Sequence, residues 1–161
     1  MKLKIVVAAL LIVSGCAGLE PRFQPDSSQN ELQQIKGKPA VVLNAKDGGT
    51  IWQYPEGPLG VRTFVARFDV QGKLLSYEQV LDEEHFSKIG VGRSTIDDVR
   101  TMIGPPMRTM EFERRGETAW DYLFRDTWGY RVEFSVIFAA SGVVVGKFAN
   151  RLDDGRDGGH H

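Results

Sequence analysis

The sequence predicts an α+β fold made of two tandem units. One observation is an internal repeat, since residues 27–72 and 94–142 carry the same order of a helix cap, a Gly-x-Pro stop, a Trp-x-Tyr segment and a late glycine. The spacing from the stop glycine to the tryptophan is 15 residues in the first copy and 16 in the second. The other observation is that the apolar period changes from helical to two after each stop. A repeat of this length indicates one supersecondary unit used twice.

The second copy begins with a predicted helix. Ser94-Thr95 supplies a hydroxyl for the helix N-cap, and Asp97-Asp98 places acids in the first turn, where they oppose the positive helix end. Gly104 stands where a left-handed residue ends a helix, and the following Pro105-Pro106 cannot continue it. One apolar stripe connects the cap to the stop, formed by Ile96, Val99, Met102 and Ile103.

The first copy keeps the same signals in a shorter form. Its cap is Ser28-x-x-Glu31, and Gly37-x-Pro39 is its stop. Leu32 and Ile35 form the apolar stripe between them. The sequence therefore predicts a second, more polar helix in this copy.

Segments rich in aromatic and β-branched residues follow each stop, and partial alternation predicts half-buried antiparallel strands. Asp47-Gly48-Gly49, Gln71-Gly72 and Ser141-Gly142 are turn signals between them. The predicted strands of the first copy are Pro39–Asn44, Thr50–Tyr54, Val61–Val70 and Lys73–Val80. Those of the second copy are Ala119–Phe124, Tyr130–Phe138 and Val143–Phe148, preceded by residues 107–112.

The first 16 residues have the pattern of a bacterial lipoprotein signal. A basic start is followed by the nine-residue apolar run Ile5–Val13, which is too short to span a bilayer. Val13-Ser14-Gly15-Cys16 has the order of a lipobox, so we expect a signal peptide at 1–15 and acylation of Cys16. Several acyl chains on one residue make membrane anchoring stable. Ala17, where an inner-membrane retention signal would place Asp, favours the periplasmic face of the outer membrane.

Composition restricts the remaining classes of function. Cys16 is the only cysteine, which excludes an intramolecular disulfide. Removal of the signal peptide leaves 18 basic and 21 acidic side chains, a net charge of −3, and this near balance disfavours nucleic acid as a partner.

The predicted organisation is a lipidated tether at 16–30, a degenerate repeat at 31–81, a second repeat at 82–149 and a disordered tail at 150–161.

No motif of the chain predicts catalysis. It contains no Gly-x-Ser-x-Gly elbow, phosphate loop or zinc-spaced His-Glu pair. Asp82-Glu83-Glu84-His85 contains metal-ligand types, but consecutive helical residues point in different directions. An acidic first helical turn, with Leu81 and Phe86 buried, is the better interpretation. The sequence therefore predicts a non-enzymatic protein without a cofactor or a metal.

The second repeat contains four motifs in order, Lys88-Ile89-x-Val91-Gly92-x-Ser94, Ile103-Gly104-x-Pro106, Thr118-x-Trp120-x-Tyr122-x-Phe124-Arg125 and Ser141-Gly142-Val143. With these motifs, about residues 82–149 resemble the SmpA/OmlA family of outer-membrane lipoproteins. The resemblance implies two helices packed on one face of a three-stranded antiparallel sheet, and we extend this architecture to both units. It also implies an accessory role in β-barrel protein assembly at the inner leaflet of the outer membrane, without enzymatic activity.

The resemblance also implies where a partner binds. The family's surface for a partner lipoprotein and for anionic lipid corresponds to Met107, Tyr122 and Arg125 of this chain. Asp121 departs from the family, which carries an aromatic residue between Trp and Tyr. An ordinary surface ion pair of Arg125 with Glu133 or Asp126 is the alternative to a partner contact.

A second function is compatible with the tandem repeat. Tandem αβ units also occur in inhibitory proteins that bind soluble enzymes through a concave sheet, so a periplasmic binding or inhibitor module is the alternative. Such an interface needs exposed aromatic residues at its centre. The burial of four side chains therefore tests this alternative, namely Trp52, Tyr54, Trp128 and Tyr130.

Overall fold

The structure is a computed structural model that describes residues 23–152, so the predicted signal peptide and Cys16 lie outside the described residues. The helices are α1 (Gln29–Lys36), α2 (Glu83–Ser87) and α3 (Ile96–Ile103). The strands of the first sheet, called sheet A, are β1 (Val41–Asn44), β2 (Thr50–Glu56), β3 (Arg62–Phe68) and β4 (Leu74–Gln79). The strands of the second, called sheet B, are β5 (Arg108–Phe112), β6 (Glu117–Arg125), β7 (Arg131–Ala139) and β8 (Val144–Arg151).

The predicted α+β class is confirmed, but the three-stranded sheet is wrong. Each sheet has four antiparallel strands in sequential order. The additional strand is the one that follows each helix, β1 in sheet A and β5 in sheet B. α1 and α3 each end at a glycine of positive φ, 78° at Gly37 and 84° at Gly104. The chain leaves this glycine in an extended conformation and pairs with the next strand instead of forming a loop.

The two sheets repeat each other in detail. Trp52 and Trp120 lie at the same place on the second strand of their sheets. Trp52 packs against Phe68 with ring centroids 4.9 Å apart, and Trp120 packs against Phe138 at 5.0 Å. The third strand of each sheet has a register shift just before this phenylalanine. These matches place the predicted tryptophans in equivalent positions.

The helices and sheets alternate as four layers. Leu32 of α1 is fully buried against one face of sheet A, in a cluster with Trp52. The opposite face of sheet A contributes Ile51 to a second cluster, which also contains Val99 and Ile103 of α3 and the inner face of sheet B. The order of the layers is therefore α1, sheet A, α3 and sheet B, because neighbouring residues of a strand point to opposite faces.

Sheet A also satisfies the end of α3. Two carbonyls in its last turn accept hydrogen bonds from side chains of this sheet, and the Arg100 carbonyl also accepts from the Gly104 amide. The side chain of Gln53 donates a hydrogen bond to the Arg100 carbonyl at 2.7 Å, and Arg67 donates to the Thr101 carbonyl at 3.2 Å. The helix of the second unit is therefore bound by polar groups of the first unit.

The predicted helix caps are confirmed, whereas one predicted core residue is wrong. Ser28 with Glu31, and Thr95 with Asp98, form reciprocal capping boxes. Ile35, predicted in the buried stripe of α1, is 60% exposed. Its equivalent, Met102, packs on the core because α3 lies between two sheets, whereas α1 has a sheet on one side only.

The boundaries of the folded part differ slightly from the prediction. α1 begins at Gln29, so it includes the end of the predicted tether, and β8 continues through Arg151, two residues into the predicted tail. Asp82 caps α2 and accepts from the His85 amide at 2.8 Å, as the acidic-turn interpretation expects.

No helix within residues 23–152 is both long and apolar enough to cross a membrane.

Each unit ties its second strand to the glycine that ends its helix. The Tyr122 hydroxyl donates to the Gly104 carbonyl at 3.1 Å in a buried position, and the Tyr54 hydroxyl donates to the Gly37 carbonyl at 3.4 Å. This bond explains why the Gly-x-Pro stop and the Trp-x-Tyr segment occur together in both copies.

We predict that Tyr122→Phe lowers the free energy of unfolding by about 1–2 kcal/mol, because it leaves a buried carbonyl without its donor. The measurement is urea unfolding followed by fluorescence. The matched variant, Tyr54→Phe, removes a longer bond and should cost less. An equal or greater loss in Tyr54→Phe would contradict this account.

Candidate interaction surface

The three residues predicted to bind a partner lie at two separate places. Met107 and Tyr122 line a pocket of about 300 Å³ together with Leu59, which belongs to the connection between β2 and β3. The pocket lies where this connection of the first unit meets β6 of the second. Arg125 does not line it.

Tyr122 is almost entirely buried, with 1% of its surface exposed. Burial raises the pKa of its hydroxyl, which stays protonated and donates to Gly104. Its ring belongs to the cluster that joins α3 to sheet B. Its side chain therefore stabilises the fold, and its contact with a partner stays a prediction.

Arg125 is exposed at the end of β6. Its guanidinium donates to the Gly129 carbonyl at 2.8 Å, within the hairpin that joins β6 to β7. Neither carboxylate suggested for an ordinary ion pair is its partner here, because Glu133 accepts from Arg108 and Asp126 pairs with Arg151. Arg125 thus braces the hairpin while its charge faces solvent.

Asp126 organises this hairpin. Its carboxylate accepts from the amides of Trp128 and Tyr130 at 3.0 and 2.9 Å, and Arg151 of β8 donates to its second oxygen at 2.5 Å. Desolvation acts to raise the pKa of Asp126, but the hydrogen bonds from Arg151 and the two amides outweigh it and lower the pKa. An Asp whose side chain binds amides further along the chain is a typical way to fix a turn.

The fixed hairpin presents two aromatic side chains to solvent. Trp128 is 81% exposed, and Tyr130 is 49% exposed with the guanidinium of Arg151 4.3 Å from its ring centre. We call residues 125–131 the aromatic hairpin. Tryptophan, tyrosine and arginine are the side chains that contribute most to protein interfaces. Trp52 and Tyr54, the other aromatic residues considered for an interface, are buried.

Asp121, the departure from the SmpA/OmlA pattern, has a structural partner. Its carboxylate is 1% exposed and lies under the side chain of Arg108, whose guanidinium is 2.8 Å away. The Ser135 hydroxyl donates to its other oxygen at 2.6 Å. Hydrogen bonding to Asp121, with the charge of nearby Glu133, raises the pKa of Arg108. Sequence reasoning did not find this network, because its members come from three strands.

A cleft of about 770 Å³ lies between sheet A and α3. Lys46, in the turn between β1 and β2, pairs with Asp98 of α3 at 2.8 Å beside it. This bond, with the capping bonds from Thr95, lowers the pKa of Asp98 to about 2. Four basic and three acidic residues line the cleft, so its charge selects no single class of ligand.

The described residues contain no group of three or more His, Cys, Asp or Glu side chains arranged to hold a metal. The one histidine within them, His85, contacts Asp82 through Nδ1 at 2.8 Å. Among the large apolar side chains of residues 23–152, Trp128 of the aromatic hairpin is the most exposed.

Comparison with known families finds no match, and comparison with curated proteins also finds none. Among solved structures, the chain is similar to a DUF4309 family protein, YjgB, from Bacillus subtilis. The two share 11% identity, the alignment covers 78% of this chain and 79% of the other, and the TM-score is 0.32. A similarity this low carries no argument about function.

Proposed function

We propose that this protein is an outer-membrane lipoprotein that serves as a non-enzymatic scaffold or accessory subunit in the assembly of β-barrel envelope proteins. Cys16 carries the lipid, and the folded units lie on the periplasmic face. The protein partner belongs to the outer-membrane assembly machinery, or to a related envelope complex. Anionic lipid is a further partner, through the charge of Arg125.

The anchor is supported by the sequence. The lipobox and the short apolar run before it are typical of lipoprotein signals. The chain from Ala17 to the first described residue, Phe23, contains Pro21 and Arg22, and α1 starts only at Gln29. This length gives the folded part some distance from the acylated cysteine.

The partner-binding role is supported most by the aromatic hairpin. Trp128 is 81% exposed, so it can bind a partner without leaving contacts inside this chain. Asp126 and Arg151 hold its hairpin in place. Ordering this turn in advance reduces the entropy lost on binding. Arg125 adds a charge at its base, where it can bind a carboxylate or a phosphate of the partner.

A periplasmic inhibitor or binding module is the second candidate. It requires exposed aromatic residues, and the exposure of Trp128 and Tyr130 favours it as much as the first candidate. The two differ in the partner, which is a membrane complex in one case and a soluble enzyme in the other.

We predict that Cys16→Ser prevents lipid attachment and cleavage before residue 16. The chain should then leave the outer-membrane fraction, and its mass should show an uncleaved, unacylated protein. Fractionation with intact-mass spectrometry is the measurement. An unchanged mass and an unchanged fraction would refute the lipoprotein anchor.

We predict that the aromatic hairpin is required for partner binding. Trp128→Ala and Arg125→Glu should each reduce recovery of the barrel-assembly machinery from detergent-solubilised membranes by about tenfold or more, the size expected for an interface hot spot. The thermal midpoint should barely change, because both side chains are exposed. Lys38→Glu, a charge reversal at an exposed lysine of the first unit, is the control.

Three results of this isolation have distinct meanings. Recovery of the machinery at the level of a control lipoprotein would refute the proposed role and leave the anchor unaffected. Recovery of a soluble periplasmic enzyme, lost in Trp128→Ala, would favour the second candidate. Equal recovery by the parent chain and both hairpin variants would exclude the hairpin as the binding surface.

A further inference from the structure

The outer face of sheet B is open at the end that carries Met110. Its other end is covered, because Leu123 is 3% exposed and lies beside Leu59 of the first unit. In sheet A the matching face, which includes Ile51 and Val65, is covered by α3 of the second unit. In sheet B this face carries Met110 and Phe148, which are 38% and 55% exposed. These two residues lie on opposite edge strands, and the half-buried Ile137 of β7 lies on the same face between them. Together they give this face the apolar character of a docking surface.

The repeat also leaves one helix with an uncovered side. On the side of α3 that meets sheet A, Met102 packs on the core and Asp98 pairs with Lys46. The equivalent residues of α1 are Ile35, which is largely exposed, and Glu31, whose carboxylate among residues 23–152 is bonded only to Ser28 of its own cap. α1 therefore carries the same apolar and acidic groups as α3, without a sheet to receive them.

A matching cation stands at the edge of the open face. The turns before β2 and β6 both contain a glycine of positive φ, Gly48 and Gly116, and a cation lies two residues before each. In sheet A this cation is Lys46, which binds Asp98. In sheet B it is Arg114, which is exposed and has no ion-pair partner within residues 23–152. The charge of Arg114 is thus complementary to that of Glu31.

We propose that α1 of a second copy of this chain docks on the outer face of sheet B, as α3 docks on sheet A within one copy. Ile35 of the second copy then lies against the apolar face near Met110, and Glu31 pairs with Arg114. Each copy offers one helix and one sheet face, so the contact is heterologous and its repetition gives a linear assembly. This contact is independent of the partner that the aromatic hairpin binds.

Cysteine cross-linking in the full-length, membrane-anchored protein tests the contact. Glu31→Cys and Arg114→Cys are introduced together, and membranes are treated with a short bismaleimide. Because α1 and the outer face of sheet B are the two outermost layers of one copy, a bridge between them must join two copies. We expect a ladder of dimers and larger species above the level of the parent chain, whose only cysteine is Cys16.

Two controls calibrate the reagent and its specificity. Lys46→Cys with Asp98→Cys, which are ion-paired within one copy, should form an intramolecular bridge and no ladder. Glu31→Cys with Arg125→Cys, at the far end of β6, should give only the parent background. Addition of Ile35→Asp to the Glu31 and Arg114 pair should reduce the ladder about tenfold, which corresponds to 1.4 kcal/mol.

Three outcomes would overturn the proposal. One is that the protein with Glu31→Cys and Arg114→Cys stays monomeric while the control with Lys46→Cys and Asp98→Cys cross-links. Another is an equal ladder in the Glu31 and Arg125 control, which would indicate random collision. The third is an adduct of Arg114→Cys alone with a different protein, which would assign the face to another occupant. Complex recovery through the aromatic hairpin is measured separately, so its failure would not change these results.

Discussion

One helix that serves two sheets is the constraint on which the rest of this structure depends. α3 buries Val99 and Ile103 in a cluster that draws on both sheets, and its last carbonyls are bonded by side chains of sheet A. A lone four-stranded sheet with one short helix has little apolar area to bury, and small folds of this kind are marginal. Sharing α3 gives both sheets a common core. The chain needs this core because it has no disulfide to stabilise it.

The shared helix also makes two similar units chemically different. Sheet A presents Gln53 and Arg67, which donate to a helix end, whereas the equivalent face of sheet B has buried Asp121 under Arg108. A carboxylate this deeply buried needs a charged partner and hydrogen bonds, and Arg108 and Ser135 provide them. The equivalent faces of two similar sheets thus differ, since the one in sheet A is covered by α3 and the one in sheet B carries a charged network. The aromatic hairpin, at the end of the exterior sheet, is where the proposed function depends on exposed residues.

Local signals made much of the fold predictable. Both capping boxes, both glycine stops and the stripe of α3 depend on residues a few positions apart, and these were correct. The exposure of Ile35 could not be predicted, because it depends on which layer covers α1. The sequence predicted a strand at Pro39–Asn44, but the three-stranded architecture that the resemblance implied left no place for β1 and β5 in the sheets. The ion pair of Lys46 and Asp98 joins residues 52 positions apart, so sequence spacing could not predict it. The exposure of Trp128 depends on where its turn lies in the fold, and the sequence could not predict this either.

The most direct test of the shared helix is native-state hydrogen exchange across a series of low denaturant concentrations. If α3 joins both sheets into one core, the slowest amides of β2 and β3, of β6 and β7, and of α3 should converge on one unfolding free energy. Val65 and Val136, in the central strands of the two sheets, are suitable reporters. Exchange of the sheet A amides at a distinctly lower free energy, with sheet B and α3 still protected, would contradict this account.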